Sequence, residues 1–433
     1  MSAPKPRQAP EVHVRPYWEL RFDADGDPDP GQLATLLRQA HQVHDLVVFA
    51  HGWNNSRSIA NRLYDRFFAP FTGLAPGASL GYVGVLWPSM RFTDEQIPDF
   101  DRSAAAQATA AAVPRTTLDK GTRQGLTEAF PRSEPVVDLL ARRLEEQPDA
   151  ASAFDEFGGL VRQLVGVGPS VSGADTSEDG GPHSTPAMLH EDTRAMCLEF
   201  AAALETAAGP GAAAAFKLPG GLAKAWKGAH ELLRQATYFA MKRRAGKVGK
   251  AGLGPALGRL AEEAPGVRVH LVGHSFGARL VSFALAGMPK GVRNVKSVTL
   301  LQGAFSHYAF ADRGALKGRQ ARVDGPLVAC FSRYDTALSV MYPLASRLAG
   351  DDRTLADLGE RWGALGHDGF QEVDGAVRFT LADVLRAGVP GAGCVSVDAA
   401  QVVRNGPPPS GAHSDICHAE LARVVLGAGR VTT

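Results

Sequence analysis

The sequence predicts an α/β fold, a mostly parallel, doubly wound sheet interrupted by a large helical insertion. Three observations carry this reading. Short apolar runs such as Leu46-Val47-Val48-Phe49-Ala50 recur along the chain, as strands buried on both faces require. Helical patterns separate these runs, and strand–helix alternation indicates parallel pairing through crossover helices. Between about 91 and 250 the strand pattern stops, and Ala, Glu, Arg and Leu take over at helical spacing.

Residues 1–10 are polar and Pro-rich and read as a disordered tail. Residues 11–22 alternate apolar with polar and read as an early strand, broken or edged at Pro16. An amphipathic helix is expected over 31–43, with Leu33, Leu36 and Leu37 on one face. The strand 46–50 follows and ends in His51-Gly52-Trp53-Asn54-Asn55. A helix over 57–70 leads to a strand over 82–87, stopped by Pro88. Helical periodicity then appears near 135–147, 154–166, 188–207 and 221–243. The polar, Gly/Ser/Asp-rich stretch 170–186 reads as a mobile loop. Alternation resumes with a helix over 254–264, a strand over 267–272 and a helix to about 286. Strands over 295–301 and 327–331, a weaker one over 394–397, and a helix over 416–426 complete the pattern. No internal repeat is present. The expected organisation is a sheet-bearing core from 11–90 and 251–433, with 91–250 inserted as a helical cap.

Composition bounds the function classes. A chain of 433 residues accommodates one large domain with insertions, or two domains. With 45% hydrophobic and 21% charged residues it has the balance of a soluble globular protein. Its net charge of +1 lacks the basic excess of nucleic-acid binders, so no nucleic acid is expected as a partner. The densest basic stretch, Lys242-Arg243-Arg244 with Lys247 and Lys250, reads as a solvated helix end, or as a surface for anionic lipid or protein. The four cysteines, Cys197, Cys330, Cys394 and Cys417, show no metal-ligand spacing. Cys330 and Cys394 sit in apolar runs and are expected in the core. The start of the chain has no apolar h-region, and no run of 18 apolar residues occurs. The expectation is a cytoplasmic protein without a transmembrane segment, metal or organic cofactor. The oligomeric state is not legible.

The pattern G-x-S-x-G occurs twice. Gly77-Ala78-Ser79-Leu80-Gly81 precedes a strand and reads as a turn. Gly273-His274-Ser275-Phe276-Gly277 follows a strand and opens a helix. A nucleophilic serine needs that context, because a sharp strand-to-helix turn lifts its hydroxyl above the sheet at a helix N-terminus. The stretch Leu271-Val272-Gly273-His274-Ser275-Phe276-Gly277-Ala278-Arg279-Leu280 resembles the nucleophile elbow of the α/β-hydrolase family. The resemblance covers roughly 40–90 and 254–426 and leaves out the insertion.

The resemblance implies an acid and then a base, each after a strand, following the serine along the chain. Asp335, just beyond the strand 327–331, falls at the acid position, and its alternative reading is a turn or N-cap residue. Asp324 lies on the wrong edge of the sheet. His413, in Gly411-Ala412-His413-Ser414-Asp415-Ile416, falls at the base position ahead of His418, which is expected inside the last helix. Ser414 or Asp415 is expected to cap that helix. For the oxyanion hole the resemblance implies the backbone N–H groups of Phe276 and of Trp53, in a loop that departs from the family's His-Gly-Gly-Gly form. The bulk of Trp53 means that its side chain turns aside or narrows the pocket. A tight turn alone is the other reading of that loop.

The implied activity is that of a serine hydrolase acting on a carboxylic ester, or a thioester or amide, with a small-molecule ester or acyl substrate. Epoxide and haloalkane hydrolases of this fold carry Asp where this chain has Ser275. Two further readings are a lipase or phospholipase with a helical lid, and a non-catalytic, hydrolase-like interaction scaffold.

Overall fold

The computed structural model describes residues 11–90, 92, 117–166, 189, 191–207, 222–338, 363–406 and 411–431. The expected tail 1–10 and loop 170–186 lie outside them. Among the described residues, eight strands form one parallel sheet in the order β1-β3-β2-β4-β5-β6-β8-β7. These are β1 (Tyr17–Arg21), β2 (Asp45–Ala50), β3 (Leu80–Leu86), β4 (Arg268–His274), β5 (Val295–Leu301), β6 (Pro326–Phe331), β7 (Val377–Thr380) and β8 (Gly393–Asp398). The α/β class and the parallel pairing are as expected.

Side chains alternate across the sheet and build two cores. Val48, Val83, Leu271, Val298 and Ala329 face one side. Phe49, Tyr82, Val272, Leu301 and Val328 face the other. The first face is covered by α1 (Pro30–Gln39), α8 (Gly254–Glu263) and α9 (Phe276–Gly287). The second is covered by α2 (Arg57–Phe68), α10 (Leu381–Ala387) and α11 (Ala419–Gly429). Helix α1 shows how local sequence sets an element. The Asp29 carboxylate accepts the Gln32 N–H, Pro30 opens the first turn, and Leu33, Leu36 and Leu37 are buried.

The described part of the insertion is helical: α3 (Lys120–Ala129), α4 (Glu134–Glu146), α5 (Ser152–Val165), α6 (Thr193–Ala207) and α7 (Leu222–Lys247). Its apolar residues, including Leu140, Phe157, Phe200 and Trp226, join the cluster that lines the α9 face. The insertion therefore shares its core with the sheet. Helix α7 continues through a π-helical segment, Val248–Leu253, into α8, and that segment packs against α9.

Four expectations are corrected. The basic stretch is a solvated helix end only in part: Lys247 and Lys250 are exposed, whereas Arg244 donates to the carbonyls of Pro88 and Ala129, and Arg243 to that of Val165. Burial lowers the Arg244 pKa to about 10, and the two carbonyls satisfy its donors. Strand β7 was not expected, because it is a four-residue edge strand, too short for the alternation of Val377 and Phe379 with polar residues to stand out. The last helix starts at Ala419, with His418 at its N-cap rather than inside it. Asp415 does not cap it. Its Oδ2 instead accepts the N–H groups of Arg404 and Asn405, and its Oδ1 bonds His418 Nε2 at 2.8 Å.

The topology fixes where a site belongs. From β2 the chain moves to β3 on one side, then crosses back to β4 on the other side of β2. The order reverses there, and the loops after β2 and β4 diverge to opposite faces. Such a reversal opens a crevice beyond the carboxyl ends of the two strands.

Candidate active site

Ser275 stands at the carboxyl end of β4 with φ 56° and ψ −119°. A side chain in the positive-φ region is strained. The strain is held in place by the Ser275 N–H bonding the Leu301 carbonyl, and by its own carbonyl accepting from the N–H groups of Ala278 and Ala304. The elbow glycines supply room. A Cβ on Gly277 would lie 1.9 Å from the Ala50 carbonyl oxygen, so only glycine lets the first turn of α9 rest on the end of β2. The rival motif is a turn. Ser79 lies before β3, and its carbonyl accepts from the backbone of His44 and Asp45 at the opposite edge of the sheet.

The structure brings Ser275, His413 and Asp335 together from three separate loops. His413 Nε2 lies 2.9 Å from Ser275 Oγ, and His413 Nδ1 lies 2.7 Å from Asp335 Oδ2. Asp335 is fully buried, just beyond β6. Its other oxygen accepts the Leu338 N–H at 3.1 Å, so the same side chain caps a turn and bonds His413. A carboxylate fixed on both oxygens presents one tautomer of the imidazole, with Nδ1–H toward the acid and the Nε2 lone pair toward the serine hydroxyl. Asp324 is an exposed partner of Lys296, and His418 pairs with Asp415; neither joins this group.

His413 sits in a short 3-10 turn, Gly411–Ser414, rather than on a regular element. Bonds to neighbours of Asp335 and of Ser275 hold that turn. The Ala412 N–H donates to the Tyr334 carbonyl next to Asp335, at 2.9 Å. The His413 carbonyl accepts from Nε2 of His274, next to Ser275, at 2.9 Å. Neighbours of the acid and of the serine thus each clamp the turn. Sequence reasoning missed the second clamp, because His274 occupies the variable position of the elbow and no spacing marks it.

The loop after β2 is equally constrained. His51 is buried, stacks on Trp87 at 5.6 Å, accepts a bond from Trp87 Nε1 on its carbonyl, and donates its N–H to the Tyr64 hydroxyl oxygen. Its ring bonds the Gly52 carbonyl, and burial lowers its pKa to about 4. Asn55 Nδ2 donates to the Gly52 and Trp53 carbonyls. With these carbonyls drawn back, the Trp53 N–H is left without an acceptor among the described residues, as is the Phe276 N–H in the open first turn of α9.

The Trp53 side chain lies in an aromatic group. It packs edge-on against Phe92 and against Tyr238 of α7, and tilts on Phe276 at 6.4 Å. Tyr238 itself lies 4.7 Å from Phe276. The insertion thus reaches the loop that follows β2.

A second Ser–His–Asp set exists and does not form a site. Ser297 Oγ, His270 and Asp45 are linked at 2.9 and 2.8 Å, with Arg268 on Asp45 at 2.9 Å. All three lie on strands and are buried, and a Cβ on Gly429 of α11 would lie 2.7 Å from the His270 ring. The set cross-links β2, β4 and β5 under α11 and offers no room for a ligand.

Among the described residues no cluster of metal-ligating side chains occurs, and no helix is long and apolar enough to cross a membrane. Cys330 and Cys394 are buried as expected, and all four cysteines are free. No protein-family model, no curated protein and no solved structure matches the chain.

Proposed function

We propose that this chain is a serine hydrolase of the α/β-hydrolase type that cleaves a carboxylic ester through an acyl-enzyme on Ser275. One observation carries the reading: the unbroken relay from Ser275 Oγ to His413 to Asp335, at 2.9 and 2.7 Å. A serine hydroxyl is a weak nucleophile near neutral pH, and an oriented imidazole is what activates it.

In this reading Ser275 Oγ attacks the ester carbonyl carbon while its proton passes to His413 Nε2. The imidazolium is stabilised by the buried Asp335 carboxylate, which stays ionised. The N–H groups of Trp53 and Phe276 take the oxyanion, aided by the N-terminus of α9. His413 then returns the proton to the departing alkoxide, and the alcohol leaves. Water attacks the acyl-enzyme, gives a proton to His413, and the carboxylic acid departs as Ser275 regains its proton.

The packing of α7 through Tyr238 on Trp53 and Phe276 supports reading the insertion as a cap beside the reacting centre. The same aromatic wall favours short acyl chains over a lipase specificity. The free cysteines, three of them buried, support a reducing, cytoplasmic setting.

The test is capture by a fluorophosphonate, followed by a nitrophenyl ester panel of graded chain length. One labelled serine, Ser275, and turnover of the acetate or butyrate are expected, both lost in Ser275→Ala. Folded protein that is never labelled points to the scaffold reading. A strong preference for long chains points to a lipase.

A further inference from the structure

We propose that His274, the residue before the serine, is a positioning residue that holds the general base in register, an inference that rests on the hydrolase reading of the site. Its Nε2 lies 2.9 Å from the carbonyl oxygen of His413. A carbonyl only accepts, so Nε2 carries the proton and donates. The ring is buried, at 5% exposure, with its centroid 5.1 Å from that of His413. The other nitrogen, Nδ1, is buried without a partner. A buried imidazole with one filled donor and one orphaned acceptor has a single competent tautomer, Nε2–H, and only the His413 carbonyl uses it. A structural core histidine normally satisfies both nitrogens.

The geometry gives the bond its purpose. The turn Gly411–Ser414 belongs to no sheet or long helix, so nothing regular fixes its distance from β4. His274 ends β4 and adjoins Ser275. Its bond to the peptide of the base therefore ties Ser275 and His413 through a few covalent links. The Tyr334 carbonyl on the Ala412 N–H does the same from the side of Asp335. Loss of the first tie lets the imidazole, still aimed by Asp335, shift away from the serine.

Two substitutions separate positioning from bulk. His274→Leu removes the donor and keeps most of the volume. His274→Gln returns an amide donor near the place of Nε2. On nitrophenyl acetate, His274→Leu is expected to lower kcat roughly tenfold to a hundredfold with KM nearly unchanged, since small displacements of a reacting group cost about that much. Fluorophosphonate capture should slow by the same factor, and His274→Gln should recover most of both. Wild-type kcat in folded His274→Leu overturns the proposal, and so does an equal loss in His274→Gln.

A second measurement needs no turnover. In protein with 15N-labelled histidine, His274 should show the Nε2–H tautomer, and the His413 Nδ1 proton in the bond to Asp335 should give its own signal. That signal should shift or broaden in His274→Leu and return in His274→Gln. An Nδ1–H tautomer at His274, or an unchanged His413 signal in His274→Leu, overturns the positioning role. A wild-type protein that neither hydrolyses nor labels overturns the hydrolase reading instead, and the resonance result still decides the role of His274.

Discussion

The Cα of Gly52 faces Ser275 so closely that a Cβ there would lie 2.7 Å from Ser275 Cβ and 3.2 Å from its Oγ. The loop after β2 and the elbow after β4 are thus in contact at the hydroxyl itself. A methyl group cannot be accommodated without moving one of them, and Trp53 is the next residue. Gly52→Ala should therefore displace the Trp53 N–H and cut kcat on nitrophenyl acetate by about 10²–10³, the usual cost of one oxyanion donor. The melting temperature should fall by only a few degrees. Unchanged kcat in folded Gly52→Ala would show that Trp53 is not a donor.

The two histidines near the carboxyl end of the chain should separate cleanly. His413 touches Ser275 and Asp335, whereas His418 touches Asp415, whose Oδ2 holds the backbone of Arg404 and Asn405. His413→Ala should lower kcat by several orders of magnitude, because members of a relay act as a unit. His418→Ala should keep most of the activity and lose some stability. Steady-state kinetics on both variants, with circular dichroism as the fold control, decides this. The reverse ranking would move the base to His418.

What was legible in the sequence divides along physical lines. Val295–Leu301 and the strand ending at Ala50 could be read because buried parallel strands are nearly continuous apolar runs. Ser275 could be read because its motif sits between such a strand and a helix, while Ser79 has the same letters at the wrong end of a strand. Asp335 and His413 needed the family resemblance, since a single carboxylate or imidazole in a loop carries no period. The contacts of His274, Asp415 and Arg244 were not legible at all. Each bonds backbone groups brought near by tertiary folding, at separations of 139 residues for His274 and 156 for Arg244, and side-chain type alone does not encode them. Strand β7 escaped because it is only four residues long, so the Val377/Phe379 alternation that sets it beside β8 is too brief to mark a strand.

Acid should destabilise the protein well above the usual carboxylate range. Burial lowers the pKa of His51 to about 4, and burial aided by the neighbouring His413 charge lowers that of His274 to about 3. Burial also lowers His270. In the unfolded chain such histidines titrate near 6.5. Below that pH the unfolded state binds protons that the folded state refuses, so stability rises with pH and falls as pH drops from 6.5 toward 4. Each proton contributes about 1.4 kcal/mol per pH unit within that window. His418 acts in the opposite sense. Its bond with Asp415 raises its pKa, so its contribution is full below 6.5 and fades as pH rises past its folded value. Three depressed histidines against one raised one leave a net loss on acidification. Urea titrations at half-unit steps from pH 7.5 to 5 should show it, and a flat profile would mean that these rings are not buried neutral.

The aromatic wall gives the last prediction, because it separates acyl specificity from chemistry. Trp53, Tyr238 and Phe276 form a contiguous group with ring centroids 4.7–6.4 Å apart. Tyr238 belongs to α7 and packs on Trp53 and Phe276, outside the bonds from Ser275 to His413 to Asp335, so its removal should leave the relay intact. Tyr238→Ala takes away a ring beside the acyl site and opens space there. The ratio of kcat/KM for nitrophenyl octanoate to that for nitrophenyl acetate should rise by about tenfold or more, since each accommodated methylene in an apolar pocket is worth roughly 1 kcal/mol. The rate of labelling by a small fluorophosphonate should change much less. Trp53→Phe makes a control at the same wall. The Trp53 Nε1 is buried without a partner, so replacing the indole by a phenyl ring removes an unsatisfied donor and should leave stability nearly unchanged. If Tyr238→Ala keeps the chain-length ratio of the parent while Trp53→Phe changes it, the acyl chain runs along the loop after β2. If neither changes it, the wall lies outside the acyl path, and the preference for short chains loses its structural basis.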